Sequence, residues 1–268
     1  MLLAIDVGNT QTVIGLFDDT LELDATGGDR CDAGLVDTWR IATVAERTAD
    51  EHALTVQEFL GFHGFSFDTQ VSGIIISSVV PRCTAAFREM TRRYFGYAPI
   101  VVEPGVKTGL PVLTENPREV GADRIANAVA AVDVYGGPAL VIDFGTATTY
   151  DAVSEGGELL GCAIAPGIDI SLDALYQRAD ALRRVEFAEP RGVIGRTTVE
   201  SLQSGAVYGF AGQVDGIAER ILDELGGRGT VVATGGLAET IAPYTRTITT
   251  VEPWLTLHGL RLIYGKNR

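Results

Sequence analysis

Asp6 and Asp143 each end an apolar run and open a turn of small residues. The two stretches are Leu3-Ala4-Ile5-Asp6-Val7-Gly8-Asn9-Thr10 and Leu140-Val141-Ile142-Asp143-Phe144-Gly145-Thr146-Ala147-Thr148-Thr149. Strand-like residues resume at Thr12-Val13-Ile14 and at Thr148-Thr149-Tyr150. Phosphate chemistry needs these residue types at this spacing. Glycine lets backbone N–H groups approach phosphate oxygens, threonine hydroxyls add donors, and a carboxylate at the base can hold a cation that offsets phosphate charge. A single Asp-x-Gly-x-Thr is an ordinary hairpin turn. Two copies at corresponding places, with a third glycine turn at Val232-Ala233-Thr234-Gly235-Gly236, indicate a nucleotide site.

The elements that must carry these turns read as alternating strands and helices. Strands are predicted at 2–7, 12–17, 73–79, 99–102, 139–143, 148–153, 159–165 and 230–234. A capping box at Thr48-Ala49-Asp50-Glu51 opens a helix with Leu54, Phe59 and Leu60 on one face. Pro81 opens another, carrying Phe87, Met90 and Tyr94 to a stop at Gly96. A helix from Glu119 to Tyr135 places Ile125, Val129 and Val132 on a stripe. Thr197-Thr198-Val199-Glu200 opens a long helix to about Leu225, whose Gly205, Gly209, Gly212 and Gly216 imply close approach by another helix or backbone. A last helix covers about Leu255–Tyr264. The halves echo one another, giving an α/β protein of two domains, 1–120 and 121–268.

Composition narrows the partners. Apolar residues make up 46% of the 268, enough for buried cores, and the formal net charge is −14. That charge argues against nucleic acid or an anionic membrane surface, which call for clustered Lys and Arg. It also means that an acidic protein holding a phosphorylated ligand must bring cations to it. The three cysteines, Cys31, Cys83 and Cys162, have neither disulfide nor zinc spacing and fit a reducing compartment. The three histidines show no metal spacing, with His52 and His63 expected on or beside a helix surface. No segment approaches a membrane span or a secretory signal, so a cytoplasmic location is expected. There is no GxxxxGK[ST], no GxGxxG after a strand and no G-x-S-x-G elbow, so P-loop, dinucleotide-fold and serine-hydrolase readings have no support.

The paired turns resemble the phosphate loops of the acetate kinase/sugar kinase/Hsp70/actin superfamily. Further segments resemble one family within it, type III pantothenate kinase. These are Trp39-Arg40-Ile41, Arg47-Thr48-Ala49-Asp50-Glu51, Pro104-Gly105-Val106-Lys107-Thr108-Gly109-Leu110 and the run from Glu115-Asn116-Pro117 through Gly121-Ala122-Asp123-Arg124-Ile125. Pro166-Gly167-Ile168, Val193-Ile194-Gly195-Arg196-Thr197-Thr198, Gln203-Ser204-Gly205 and the ending Leu255–Tyr264 match as well.

The resemblance implies two RNase H-like domains of the actin/Hsp70 ATPase type with an active-site cleft between them. It implies transfer of the ATP γ-phosphoryl group to the terminal hydroxyl of pantothenate, the first step towards coenzyme A. Carried over by position, Asp6, Val7, Gly8, Asn9, Thr10, Gln11, Thr12 and Val13 form the first ATP loop, and Thr146 contacts ATP. Gly121, Ala122, Asp123 and Arg124 contact pantothenate, Asp123 is the proton acceptor, and Thr198 touches substrate. Asp143 binds a monovalent cation, potassium or ammonium, and Asp6 faces magnesium through water. A homodimer is expected. Thr114 stands where many relatives carry a substrate-contacting tyrosine.

The chemistry agrees with these assignments. Phosphoryl transfer is mostly positioning and electrostatics, an alcohol acceptor must lose a proton, and an acid at a helix start is favoured by the dipole. Two rival readings share the fold: a non-catalytic regulatory protein, and another phosphotransferase or a hydrolase of the superfamily. The first has no use for Asp6, Asp123 and Asp143 together. The second gives no account of the Gly121–Arg124 segment.

Overall fold

The computed structural model describes residues 1–18, 31–67, 70–179 and 182–268. The chain divides into two units, the first made of 1–110, 115–134 and 254–268 and the second of 111–114 and 135–253. Each is built on a five-stranded mixed sheet.

In the first unit, β1 (Leu2–Val7) lies between β2 (Gln11–Phe17), antiparallel, and β4 (Gly73–Ser78), parallel; β3 (Leu35–Ala42) and β5 (Ile100–Val101) form the edges. Apolar character on both faces of β1 follows from its central place, since a strand covered on both sides reads as a continuous hydrophobic run. Leu3, Ile5 and Val7 point into a core closed by α1 (Ala49–Gly61) and α2 (Pro81–Met90), with Val56, Leu60, Phe87 and Met90. The reciprocal capping box at Thr48 and Glu51 is present. The buried stripe of α1 is Ala49, His52, Ala53, Val56 and Leu60, and Leu54 is 68% exposed. His52 is therefore a core residue rather than a surface one, its ring centroid 4.0 Å from that of Phe87 and tilted 31° to it. After α2 the chain winds through one wider turn, Thr91–Phe95, and stops at Gly96, as the glycine predicts.

The opposite face of this sheet is covered by the last helix, α7 (Leu255–Gly265). Leu257 fills the space over Gly15, and Tyr264 that over Gly73. The helix α3 (Ala122–Tyr135) meets α7 so closely that a side chain at Gly259 would strike the Ala126 carbonyl. Ala126 makes that contact possible, and Ala128, Ala130 and Ala131 are fully buried too; of the expected stripe Val129 is buried, while Ile125 and Val132 are half-buried.

The second unit repeats the plan. β6 (Ala139–Phe144) lies between antiparallel β7 (Ala147–Val153) and parallel β9 (Thr230–Gly235), with β8 (Leu159–Pro166) and β10 (Thr250–Val251) at the edges. Strand for strand, β8-β7-β6-β9-β10 corresponds to β3-β2-β1-β4-β5. Its core joins Leu140, Ile142, Phe144 and Tyr150 to Val214 and Ala218 of α5 (Thr198–Glu224), with α4 (Ile168–Arg178) and α6 (Ala238–Ile241) alongside. Thr197 caps α5 by accepting from the Glu200 N–H at 3.2 Å, while the Glu200 carboxylate accepts from the Arg196 N–H instead of closing a box. The α5 glycines are not gripped as expected: among the described residues nothing comes within 4 Å of a side chain built at Gly205, Gly209 or Gly212. Cys31 and Cys83 are buried, and Cys162 is exposed on β8.

Candidate active site

Asp6 stands at the C-terminal end of β1, and the chain reverses at once. The Gly8 N–H donates to the Gln11 carbonyl at 3.0 Å, and a side chain at Gly8 would stand 3.1 Å from that oxygen. The turn is braced from β3, a strand the sequence pattern did not announce. Thr43 N–H donates to the Thr10 carbonyl at 3.0 Å, the Thr12 and Thr43 hydroxyls meet at 2.8 Å, and Arg40 donates to the Gln11 side chain at 3.1 Å. Asn9, Thr10 and Gln11 are exposed at the tip, whereas Val7 and Thr12 are buried. Within the loop, only the tip can offer side chains to a ligand. Val7 and Thr12 can offer backbone.

The second hairpin has the same construction. Asp143 is the penultimate residue of β6, next to the turn, and the Gly145 N–H donates to the Ala147 carbonyl at 3.1 Å, with Gly145 and Thr146 exposed. Two glycines from elsewhere in the unit close on it. Gly235, at the end of β9 with φ +92°, leaves room for Asp143: its Cβ would stand 2.5 Å from Oδ1. Gly167, just before α4, would clash with the Thr146 carbonyl if it carried a side chain, and its N–H donates to that carbonyl at 3.2 Å. No side chain caps α4, so its first N–H groups lie beside the Thr146 turn, uncapped by any side chain, the arrangement by which helix starts hold phosphate. Gly145 and Gly235 thus lie against the Asp143 carboxylate, and Gly167 lies against the turn that follows it.

Asp123 sits in the first turn of α3. A capped turn leads the chain there: Asn116 Oδ1 accepts from the Arg118 N–H at 3.4 Å and Asn116 Nδ2 donates to Glu119 at 2.6 Å. Asp123 Oδ1 accepts from the Arg124 N–H at 2.9 Å and lies where a Gly121 side chain would be, which explains glycine two residues ahead of it. The same Gly121 position faces Val79, 3.8 Å away. Val79 borders an open groove of about 380 Å³, lined also by Ser78, Pro81, Thr84 and the Arg88–Glu103 ion pair at 2.6 Å.

Asp6, the 8–13 turn, Asp123 and Arg124 belong to the first unit; Asp143, Thr146 and Thr198 belong to the second. Thr198 is exposed at the start of α5, next to the capping Thr197. Thr114 is half-buried with its Oγ1 unpaired. Among the described residues no three His, Cys, Asp or Glu side chains gather as a metal cage. Isolated carboxylates at phosphate turns suit ions that share their coordination with phosphate oxygens and water. Sequence reasoning missed the bracing Thr43 and missed Ser77, and it singled out Thr234 only as part of the third glycine turn; Ser77 and Thr234 stand opposite the two aspartates in the sheets. Only strand register could reveal them.

The family model described as type III pantothenate kinase matches residues 2–220. A protein of Streptomyces coelicolor named type III pantothenate kinase is 54% identical over 274 residues, covering 100% of this chain and 98% of that one. The protein of that name from Moorella thermoacetica is 50% identical over 267 residues, with 100% of both chains covered. Among solved structures, a conserved putative Baf family transcriptional activator from Campylobacter jejuni superposes with TM-score 0.58 at 19% identity, covering 99% of this chain and 98% of that one. An activator of 2-hydroxyisocaproyl-CoA dehydratase from Clostridium difficile, with bound ADPNP, gives 0.53 at 12%, covering 99% and 94%. At such identities the structural likenesses establish the fold, that of the actin/Hsp70-type ATPases, and nothing more.

Proposed function

From the premise that the chain belongs to the type III pantothenate kinase family, we propose the following division of labour among its residues. The protein is an ATP-dependent kinase that phosphorylates pantothenate on the way to coenzyme A. The terminal hydroxyl oxygen of pantothenate bonds to the γ-phosphorus, the bond to the β,γ-bridging oxygen breaks, and ADP leaves. Asp123 takes the hydroxyl proton, and Arg124, with Gly121, Ala122 and Thr198, holds pantothenate. The 6–13 turn and Thr146 hold the nucleotide.

The observation that carries this reading is the hairpin with a carboxylate at its base, repeated in the two units, with glycines packed against the carboxylate in the second. Bound at such turns, magnesium and a monovalent cation supply positive charge to the phosphates in a protein that has no P-loop lysine. In this reading Asp6 takes the hydrated divalent ion and Asp143 takes potassium or ammonium. No described helix is long and apolar enough to cross a membrane, and we assign the enzyme to the cytoplasm. We assign it a homodimeric state as well, on the strength of the unfilled glycine face of α5 and the exposed Val193, Ile194 and Val199 near its start.

The test is ADP release with ATP, magnesium and potassium, with and without pantothenate. Release that requires pantothenate is expected. ATP binding without pantothenate-dependent release would overturn the assignment of acceptor, and Thr114→Tyr would then be the first variant to make.

A further inference from the structure

Ser77 is fully buried near the end of β4, and its Oγ has no hydrogen-bond partner. An unpaired buried hydroxyl destabilises the fold relative to alanine at the same place. Folding therefore gives no reason for it. Its position does. In the parallel β1–β4 pair Ser77 stands opposite Asp6, and residues opposite one another project from the same face of the sheet.

The second unit repeats the relationship. β9 runs parallel to β6 and sets Thr234, 2% exposed, opposite Asp143. The sequences around the two hydroxyls differ, Ile76-Ser77-Ser78 against Ala233-Thr234-Gly235, so the shared element is a buried hydroxyl beside a carboxylate. Other unpaired buried hydroxyls lack this placement. Thr148 stands opposite Phe144 and Ala165, and Tyr150 opposite Ile142 and Ala163.

We propose that Ser77 is a positioning residue for the divalent cation that accompanies ATP. Its hydroxyl donates to the Asp6 carboxylate and fixes the orientation in which that carboxylate meets the hydrated ion. This rests on the reading of Asp6 given above. The bond is not made in the structure, and rotation of Ser77 among its staggered χ1 positions is what making it requires.

Ser77→Ala and Ser77→Thr in the full chain test the idea through three readouts. They are thermal unfolding, magnesium-dependent ATP binding followed by calorimetry without pantothenate, and the KM for pantothenate. In Ser77→Ala the unfolding temperature should hold or rise. The magnesium concentration for half-maximal ATP binding should rise roughly tenfold, as expected for loss of a hydrogen bond to a charged group, while the KM for pantothenate stays within about twofold. Ser77→Thr should restore magnesium dependence, since threonine already serves opposite Asp143. Wild-type magnesium dependence in Ser77→Ala would overturn the proposal. So would a lowered unfolding temperature with equal losses for both ligands, which marks a merely structural role. Asp6→Asn separates the two ideas. If it too leaves magnesium dependence unchanged, the reading of Asp6 itself fails; if it weakens magnesium binding and Ser77→Ala does not, only the role of Ser77 fails.

Discussion

Asp143 Oδ1 lies over Gly235, so that a single added carbon at position 235 would stand 2.5 Å from it. The backbone there has φ +92°, which an L side chain rarely adopts. Gly235→Ala should therefore lose stability by about 1–2 kcal/mol from backbone strain alone. It should also displace the Asp143 carboxylate and blunt stimulation by potassium. Thermal unfolding combined with a potassium titration checks both effects. An alanine variant with wild-type potassium response would show that this close packing is not needed for the cation.

Replacing potassium with sodium should lower turnover, because a site matched to a larger, weakly hydrated ion gains less from a smaller, more strongly hydrated one. Asp143→Asn should reduce the rate in potassium to the sodium level and make the two salts equivalent. Steady-state rates at constant ionic strength decide this, since total salt screens surface charge in both cases.

Asp123→Asn keeps the shape of the side chain and its contact with the Arg124 N–H while removing the proton acceptor. Turnover should fall roughly 10²–10⁴-fold, the usual worth of general base catalysis, with ATP affinity and unfolding temperature nearly unchanged. Near-normal kcat would remove Asp123 from the chemistry and leave it a substrate contact.

His52 ties stability to pH. Burial holds its imidazole down at about 4, with help from the nearby Arg47 charge and opposition from Glu51. Its ordinary value is near 6.5, so the unfolded chain takes up a proton that the folded one refuses. The stabilisation is complete above about pH 6.5, declines as pH falls from there to about 4, and changes no further below that. Its full size is on the order of 3 kcal/mol. Urea unfolding at pH 7.5 and pH 5 should show the difference, and His52→Leu should flatten this part of the profile. An unaltered profile in the leucine variant would assign the pH dependence to other groups.

The parts of the fold that depend on strong local signals are legible in the sequence. β1, β2, β6 and β7 announce themselves as apolar runs broken at Asp-Gly turns, and the capping residues Thr48 and Thr197 mark their helices. β3 does not, because an edge strand holding Asp37, Thr38 and Arg40 has no apolar run to display. α4 buries only Ile168 and so carries no stripe. His52 and Leu54 exchange their expected places since helical phase is fixed by what lies beneath the helix, here Phe87, and not by the polarity of one residue.

The candidate site divides in the same way. Asp6, Asp143 and their turns are visible as motifs, and Asp123 through its surroundings. Gly167, Gly235 and Thr234 are visible only as members of short segments, and Ser77 not at all. Their places beside the two turns come from distant strands and a helix start, through a register that no stretch of sequence states.

The order in which the first unit is completed follows from α7. Its Leu255, Leu257, Leu260 and Ile263 are all buried, and the helix covers β1, β2 and β4, which belong to the first 78 residues. During synthesis those strands are made early and wait, one face open, until residues 254–268 have been added, after every residue of the second unit. The last residues made thus complete the first unit. Chains truncated just before residue 254 should carry a complete second unit beside a first one that lacks half its covering, and should be cleared or aggregate for that reason alone.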